Sequence, residues 1–273
     1  MSDAPAPRLS ATVLLARDGA EGPELFMVVR HHQIDFASGA LVFPGGSLDP
    51  SDADPRLRNL SDGVDQLTDE ACRLRVAAAR EAFEECGVLM ARPTGSANIV
   101  DGATALRLGG RYRADLEAGK VGMADIAEAE GLRLALDQLE PFAHWITPTH
   151  MPKRFDTHFF VAAVPVDHDL AHDGHEAVDS IWITPAQALA DADAGQRTVI
   201  FPTRLNLAKI GRAQSVADML ERCRTEPIVT VQPTMTKRDG QRIMQIPVEA
   251  GYGAGEFVVE MTAAGARTVS SAS

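Results

Sequence analysis

The sequence predicts an α/β fold, and two observations support that class. Apolar runs of strand length occupy residues 11–16 and 24–30, and the polar, Gly-containing segment between them is typical of a hairpin. Residues 68–86 have the apolar spacing of a helix, with a Thr suited to its N-cap and a glycine, Gly87, just after its end. Further strand-like runs follow later in the chain, which indicates helices packed on a sheet.

The composition narrows the classes of function. The chain has 273 residues, which suits one domain with extensions, and a formal net charge of −12, which disfavours binding to nucleic acids or anionic membranes. Its three cysteines have no paired spacing, which favours a reducing compartment, and no stretch is apolar for long enough to span a bilayer. We therefore expect a cytoplasmic protein without a nucleic-acid or membrane partner.

The strongest chemical signal is a helix that carries three glutamates on one face. Glu81, Glu84 and Glu85 have i, i+3 and i+4 spacing, whereas Phe83 and Cys86 fall on the opposite, apolar side. Like charges this close repel by about 3 kcal/mol per pair at an effective dielectric constant of about 20, so a partly buried cluster needs a cation. Carboxylate oxygens suit Mg²⁺ or Mn²⁺. The alternative is a solvated acidic face.

A second signal is Phe-Pro-Gly-Gly at residues 43–46, which follows a short strand-like run and suits a type II turn. Together with this segment, the acidic helix resembles the Nudix box of hydrolases that cleave nucleoside diphosphates linked to another moiety. Gly46 resembles the first glycine of that box. The specified positions of its second half are filled by Arg80, Glu81, Ala82, Glu84, Glu85, Gly87 and Val88.

The resemblance implies a Nudix-type α/β/α sandwich around a mixed sheet and the hydrolysis of a diphosphate with Mg²⁺ or Mn²⁺ as cofactor. The metal ligands that it implies are the Gly46 carbonyl and the carboxylates of Glu81, Glu84 and Glu85. Arg80 is then the residue that orients Glu81 by a charge-assisted contact.

The resemblance leaves two candidates for the catalytic base. Glu81 is one, and Glu176 is the other, because it lies six residues before Trp182, where nucleoside triphosphate pyrophosphatases of this superfamily have a further ligand or base. The three histidines in residues 168–175 precede Glu176 and could be taken for a zinc cluster, but the segment reads as a surface turn without a cysteine partner.

The box contains extra residues between its two halves. We place this insertion at residues 50–67 as a surface excursion that closes over the substrate, and it resembles the peroxisomal coenzyme A diphosphatases of the superfamily. The family has a glutamate six residues after the first glycine, whereas here that position is Asp52. Either Asp49 or Asp52 substitutes for this glutamate, or its role is absent.

The substrate class depends on scattered basic residues. Arg30 resembles the first arginine of a coenzyme A signature, although His31 and Asp35 differ from that signature. Arg154 or its neighbour Lys153 begins a strand near the expected site and is a candidate for holding a phosphate. Coenzyme A or an acyl-coenzyme A is one expected substrate, ADP-ribose or a nucleotide sugar is the alternative, and a non-catalytic module that binds nucleotides is a third interpretation.

The domain organisation follows from these assignments. We expect a flexible arm over residues 1–9 and a Nudix domain over residues 10–196, in which residues 112–140 form a helical cap. Residues 197–273 are a C-terminal extension with three strand-like runs, and its last eleven residues are expected to be disordered. This extension is either a small β structure or the interface of a homodimer.

Overall fold

The computed structural model describes residues 5–30, 39–165, 167–168, 177–262 and 265–271, and the side chains of residues 30, 177, 178, 261, 262 and 265–271 also lie outside the description. The strands are β1 (Arg8–Gly19), β2 (Gly22–Arg30), β3 (Leu41–Val42), β4 (Gly45–Ser47), β5 (Ser61–Asp62), β6 (Ala91–Pro93), β7 (Leu132–Ala135), β8 (Glu140–Ile146), β9 (Phe155–Ala163), β10 (Ala177–Ile183), β11 (Thr230–Val231), β12 (Thr234–Arg238), β13 (Gln241–Gln245), β14 (Glu256–Thr262) and β15 (Gly265–Ser271). The helices are α1 (Asp69–Cys86), α2 (Gly102–Glu117), α3 (Met123–Glu130), α4 (Pro185–Asp193), α5 (Phe201–Ile210) and α6 (Val216–Thr225).

A mixed sheet of eight strands forms the centre of the molecule. Its strand order is β10-β2-β1-β9-β8-β11, with β3 paired to β2 and β4 paired to β1. Strand β1 runs parallel to β9 and antiparallel to β2, so parallel and antiparallel pairs meet at the same strand. The hairpin between β1 and β2 is the one that the polar segment predicts.

Both faces of this sheet are buried, because apolar side chains continue along its central strands. Ala11, Val13 and Leu15 of β1 belong to one core, which also contains the apolar faces of α1, α2 and α3. Leu14 and Ala16 belong to a second core, shared with α4, α5 and α6. Alternate residues of a strand point to opposite faces, so one strand supplies both cores. The α/β/α sandwich that the sequence predicts is confirmed.

Helix α1 has the ends that its sequence predicts. The Thr68 hydroxyl accepts a hydrogen bond from the backbone N–H of Ala71, and Gly87 ends the helix in the left-handed conformation at φ 76°. From the neighbouring helix α2, the Arg113 guanidinium donates two hydrogen bonds, of 3.0 and 2.7 Å, to the backbone carbonyl of Glu84. The last turn of the acidic helix is therefore held at a carbonyl that lacks an intrahelical partner.

The first half of the chain is more regular than we expected. Strand β1 begins at Arg8, inside the expected arm, because it pairs with β9 from that residue onward. Helix α2 begins at Gly102, before the helical cap expected over residues 112–140, because the Asp101 side chain caps it by accepting from the N–H of Thr104. The inserted residues 50–67 contain two short 3₁₀ helices, Pro50–Ala53 and Pro55–Arg58, and bury Leu57 in the core beside α1.

The C-terminal extension packs against the second core. Strands β12 to β15 form a four-stranded antiparallel sheet, and Met244, Phe257 and Val259 from it are buried with the aromatic side chains of that core. The disorder expected for residues 263–273 differs from the structure, in which residues 265–271 pair with β14. Among the helices of the described ranges, none combines the length and the apolar character needed to cross a bilayer.

Candidate active site

Arg80 is the centre of the candidate site, and all five of its N–H donors are used. Its Nε and Nη2 atoms donate to the two carboxylate oxygens of Asp52, at 2.9 and 3.1 Å, and Nη2 also donates to the carbonyl of Ser47 at 3.0 Å. Its Nη1 atom donates to Glu81 and to Glu84, both at 2.8 Å. A guanidinium in such a fixed fork orients every carboxylate that it contacts.

Asp52 is the acid that meets Arg80 from the insertion. Its side chain is only 1% exposed, and besides the two bonds from Arg80 it accepts from the backbone N–H of Asp49. Asp49, by contrast, caps the 3₁₀ helix by accepting from the N–H of Ser51. Of the two acids that the sequence left open, Asp52 therefore makes the charge contact to the box. It does so from the position of the family's early glutamate.

The glycine bend lies directly against the carboxylates. A Cβ atom on Gly46 would stand 2.4 Å from Glu81 Oε1, so only a glycine leaves room for this carboxylate. The N–H of Gly45 donates to Glu85 Oε2 at 2.9 Å. The bend is not the type II turn that we expected, since φ of Gly45 is 154° rather than about 80°. The reason is that β4 begins at Gly45 and pairs with β1.

The electrostatics of the site indicate a shortage of positive charge. Burial raises the pKa of Glu81 to about 7, with Arg80 opposing this shift and the charge of Glu84 adding to it. The pKa of Glu84 is also raised by burial, although Arg80 opposes it. Burial alone would lower the pKa of Arg80, but its hydrogen bond with Asp52 and the surrounding carboxylates raise it. One guanidinium faces several carboxylates.

The donor set fits a hard divalent cation. Glu81 lies against Gly46, where a glycine leaves the space that a side chain would fill, and Glu85 accepts from the N–H of Gly45. Glu84 is joined to Glu81 through Nη1 of Arg80. Mg²⁺ and Mn²⁺ prefer such oxygen ligands. A cation would offset the burial, and the smaller repulsion between carboxylates, that raise the pKa of Glu81 and Glu84. Glu81, Glu84 and Glu85 are the side chains that would hold it, with the Gly46 carbonyl as the ligand implied by resemblance.

The carboxylates lie in the wall of a cavity of about 870 Å³. The elements that surround it come from both halves of the chain: the bend, α1, the start of β9, and the extension. Its lining includes the cations Arg8, Lys120 and Lys153. It also includes an apolar group that we call the apolar wall, consisting of Trp145, Phe159, Phe201, Met235 and Met244. The cavity therefore offers both charged and apolar surfaces to one ligand.

The remaining residues predicted for the site have different placements. Arg154 is buried, and its guanidinium donates to the backbone carbonyls of Thr147 and Pro5. Within the described ranges, the cavity lining contains Lys153 instead of Arg154. Arg30 ends β2, with a side chain outside the described residues, and Glu176 also lies outside them. Their roles stay predictions.

Several lining residues had no signal in the sequence. The apolar wall includes Phe201, Met235 and Met244, which belong to the extension and carry no motif. Lys120 lies in a short connection after α2 and Arg8 lies at the start of β1, so both resemble ordinary surface cations in the sequence. Only the tertiary fold brings these positions to the acidic helix.

The fold and the site together define the class of the protein. An acidic helix packed on a glycine bend, at the wall of a cavity in an α/β/α sandwich, is the arrangement of a Nudix hydrolase. The sequence comparison identifies the family: the model described as NUDT19 Nudix domain matches residues 58–209, which is more than half of the chain. The chain therefore belongs to this family of Nudix hydrolases, and the predicted resemblance is confirmed. Such hydrolases generally use divalent metals.

Known proteins give the same family. The human protein named acyl-coenzyme A diphosphatase NUDT19 is 29% identical over 252 residues, which cover 75% of this chain and 64% of that protein. A Caenorhabditis elegans protein described as a nudix hydrolase is 28% identical over 211 residues, covering 76% and 61% respectively. The chain thus spans less than two thirds of the length of these curated relatives.

A solved structure is similar over most of its length. The crystal structure of a NUDIX hydrolase from Alicyclobacillus acidocaldarius superposes with a TM-score of 0.65 at 28% sequence identity. The similarity covers 81% of this chain and 96% of the other.

Proposed function

We propose that this protein hydrolyses the diphosphate of coenzyme A or an acyl-coenzyme A with Mg²⁺ or Mn²⁺. The observation that carries the proposal is that Glu81, Glu84 and Glu85 line one cavity, with Glu81 and Glu85 against the Gly45–Gly46 bend. Buried and half-buried carboxylates beside a glycine favour a divalent cation over a solvated acidic face.

The chain's own residues have distinct roles in this proposal. Glu81, Glu84 and Glu85 hold the cation, and Arg80 is a positioning residue because its hydrogen bonds fix Glu81 and Glu84. A bound Mg²⁺ or Mn²⁺ supplies a Lewis acid that activates water and neutralises phosphate charge. Glu81 or Glu176 accepts the proton of the attacking water. The water oxygen bonds to one phosphorus, the bond from that phosphorus to the bridging oxygen breaks, and each product keeps one phosphate.

The substrate class rests on the cavity. Lys153 and Arg8 supply positive charge to diphosphate oxygens near the acidic helix. The apolar wall suits an acyl chain and the methyl and methylene groups of pantetheine, which ADP-ribose lacks. Relatives named acyl-coenzyme A diphosphatase support the same choice.

A panel of diphosphates tests the substrate. The full chain is assayed with Mg²⁺ or Mn²⁺ on coenzyme A, a long-chain acyl-coenzyme A, ADP-ribose and a nucleotide sugar, and the products are identified by mass. We expect 4′-phosphopantetheine or its acyl form together with the nucleotide from the first two compounds. Preferred cleavage of ADP-ribose would contradict coenzyme A as the substrate class and favour ADP-ribose instead. Tight binding without cleavage of any compound would favour a non-catalytic module.

The acidic helix is tested separately. Glu84→Gln and Glu85→Gln each remove a ligand charge, so we expect a loss of activity of at least about 10³-fold, corresponding to several kcal/mol of charge stabilisation. Chelation of divalent cations should abolish the wild-type activity, and added Mg²⁺ or Mn²⁺ should restore it.

Glu70→Gln is the matched control, because Glu70 lies exposed on the first turn of the same helix. It should retain wild-type activity. Full turnover by both Glu84→Gln and Glu85→Gln, with unchanged circular dichroism and a continuing need for metal, would contradict the assignment of ligands.

A further inference from the structure

A second group of metal-ligating side chains lies on the central sheet, outside the cavity. His144 of β8 is paired directly across from His158 of β9, and Asp156 lies two residues before His158 on the same strand. One ligand atom from each of the three lies within 4.8 Å of the other two. Alternate residues of a strand face opposite sides, so these three share one face while Trp145 and Thr157 between them line the cavity.

The ligand atoms of this cluster lie close to one another. His144 Nε2 lies 2.5 Å from Asp156 Oδ1, and His158 Nε2 lies 3.7 Å from the same oxygen. The two imidazole rings are stacked, with centroids 4.0 Å apart and planes 20° from parallel. In a tetrahedral zinc site with bonds of about 2.0–2.1 Å, neighbouring ligand atoms are roughly 3.3 Å apart. The distances of the two histidine nitrogens from Asp156 Oδ1, 2.5 and 3.7 Å, lie on either side of that value.

The other nitrogen of His144 also has a hydrogen-bond partner. Its Nδ1 lies 2.8 Å from the Thr230 hydroxyl, on β11 of the C-terminal extension. Such a contact fixes the ring orientation and leaves Nε2 directed at the neighbouring ligands. All three side chains are partly exposed, at 19% for His144, 23% for Asp156 and 29% for His158, so a hydrated ion can enter.

We propose that His144, Asp156 and His158 bind a borderline transition-metal cation of the Zn²⁺ class. Two imidazoles and one carboxylate are the donor set that such cations prefer, whereas Mg²⁺ prefers oxygen ligands alone. The cation takes the place of the proton between His144 and Asp156, and water completes the coordination. Within the described residues, the lining of the cavity includes Glu81, Glu84 and Glu85 but none of the three ligands, so this site is separate from the glutamates of the cavity.

The position of the site gives it a structural consequence. Its ligands come from β8 and β9, and Thr230 connects His144 to β11, which is the strand that attaches the extension to the main sheet. A bound cation therefore stabilises the sheet edge at which the extension docks, because it binds the folded arrangement and not the unfolded chain.

Zinc titration of the metal-free full chain in a large excess of Mg²⁺ tests the proposal. Calorimetry should detect one equivalent of Zn²⁺ that Mg²⁺ does not displace, and Zn²⁺ should raise the melting temperature. Replacing Zn²⁺ by Co²⁺ should give the visible absorption of a low-coordinate nitrogen–oxygen site. Both signals should disappear in His158→Phe, which keeps a stacked ring without a ligand, and in Asp156→Asn, which keeps the volume without the charge.

Two further variants separate this site from other imidazoles and from the acidic helix. His150→Phe makes the same substitution at an exposed histidine outside the cluster, and it should retain the zinc equivalent. A Glu84→Gln/Glu85→Gln double variant should also retain it, even though it is inactive. Zinc binding that persists in His158→Phe and Asp156→Asn, that is lost only in the glutamate variant, or that is absent from the wild type would overturn the proposal.

Discussion

The two sides of the cavity are built in different ways. The charged side is concentrated in one helix and one bend. There, Arg80 donates five hydrogen bonds to four residues, which belong to α1, the insertion and β4. The apolar wall is assembled from β8, β9, α5, β12 and β13, with Phe201 stacked edge-on against Trp145 at 6.1 Å between centroids. On the charged side every N–H of the Arg80 guanidinium is in a hydrogen bond. The apolar wall is a continuation of the second core.

This difference separates two kinds of requirement. Metal-assisted chemistry needs ligand atoms fixed to a fraction of an ångström, which a single helix and a glycine can provide from contiguous residues. Recognition of an apolar group needs only shape and area, which residues from distant parts of the chain can supply. Substitutions on the charged side should therefore change kcat strongly for every substrate, and substitutions in the apolar wall should change the preference among substrates.

Gly46→Ala should produce the largest effect among the changes to the surroundings of the carboxylates. The added Cβ would lie 2.4 Å from Glu81 Oε1, and the carboxylate, as the far end of a flexible side chain, has to turn away. A displacement of about 1 Å at a reacting centre costs roughly 10²-fold. We expect kcat to fall by about that factor with little change in stability, measured by steady-state kinetics and thermal unfolding.

Gly110→Ala provides the control for this glycine substitution. Gly110 lies within α2, and a Cβ there would meet no atom within 4 Å. The substitution should leave kcat unchanged and stabilise the protein by about 0.5–1 kcal/mol, because alanine loses less backbone entropy in a helix. Equal kcat values for Gly46→Ala and Gly110→Ala would argue against a precise placement of Glu81.

Asp52→Asn should have the next largest effect. Asparagine has one oxygen, so it cannot accept from both Nε and Nη2 of Arg80 while also accepting from the N–H of Asp49. A residue that orients ligands in this way typically contributes 10–100-fold, and a buried unpaired donor costs about 1–3 kcal/mol. We expect kcat to fall within that range, and the free energy of unfolding to fall as well, as measured by urea denaturation.

The same substitution at Asp65 isolates the contact with Arg80. Asp65 is an exposed acid in the same insertion, so Asp65→Asn should leave both kcat and stability at wild-type values. If Asp52→Asn and Asp65→Asn lowered kcat and stability equally, the total charge of the insertion, and not the contact with Arg80, would explain the effect of Asp52→Asn.

The sequence predicts the parts of the molecule that depend on local patterns. Thr68 and Gly87 mark the ends of α1 because caps act on neighbouring backbone groups. The spacing of Glu81, Glu84 and Glu85 places them together whatever the tertiary structure is. The sequence offers Asp49 and Asp52 as the acid that replaces the early glutamate of the box. The structure distinguishes them by the contact between Asp52 and Arg80, which lie 28 residues apart, so no rule about neighbouring residues predicts it.

Other features arise only when distant segments meet. Arg154 has the sequence context of a phosphate ligand. In the structure it lies just before β9 and beside the arm, and its guanidinium donates to the carbonyls of Thr147 and Pro5. The cluster of His144, Asp156 and His158 forms because two antiparallel strands adopt one register. In the sequence, these histidines lie on either side of the loop between β8 and β9 and carry no ligand spacing.

Met235→Gln should have the smallest effect and should change the preference among substrates. Met235 is a partly buried residue of β12 in the apolar wall, so a polar group there weakens contact with an apolar part of a substrate but leaves the carboxylates untouched. A change of this size in an apolar pocket alters discrimination by about 10-fold. We expect kcat/KM to fall by that factor for long-chain acyl-coenzyme A and to change little for ADP-ribose, with rates measured side by side.

Leu106→Gln is the control, because Leu106 is 72% exposed on α2 and its substitution should leave both values unchanged. An equal fall in kcat/KM for both substrates in Met235→Gln would mean that the two sides of the cavity do not act independently, because the substitution would then affect the diphosphate hydrolysis that both substrates undergo.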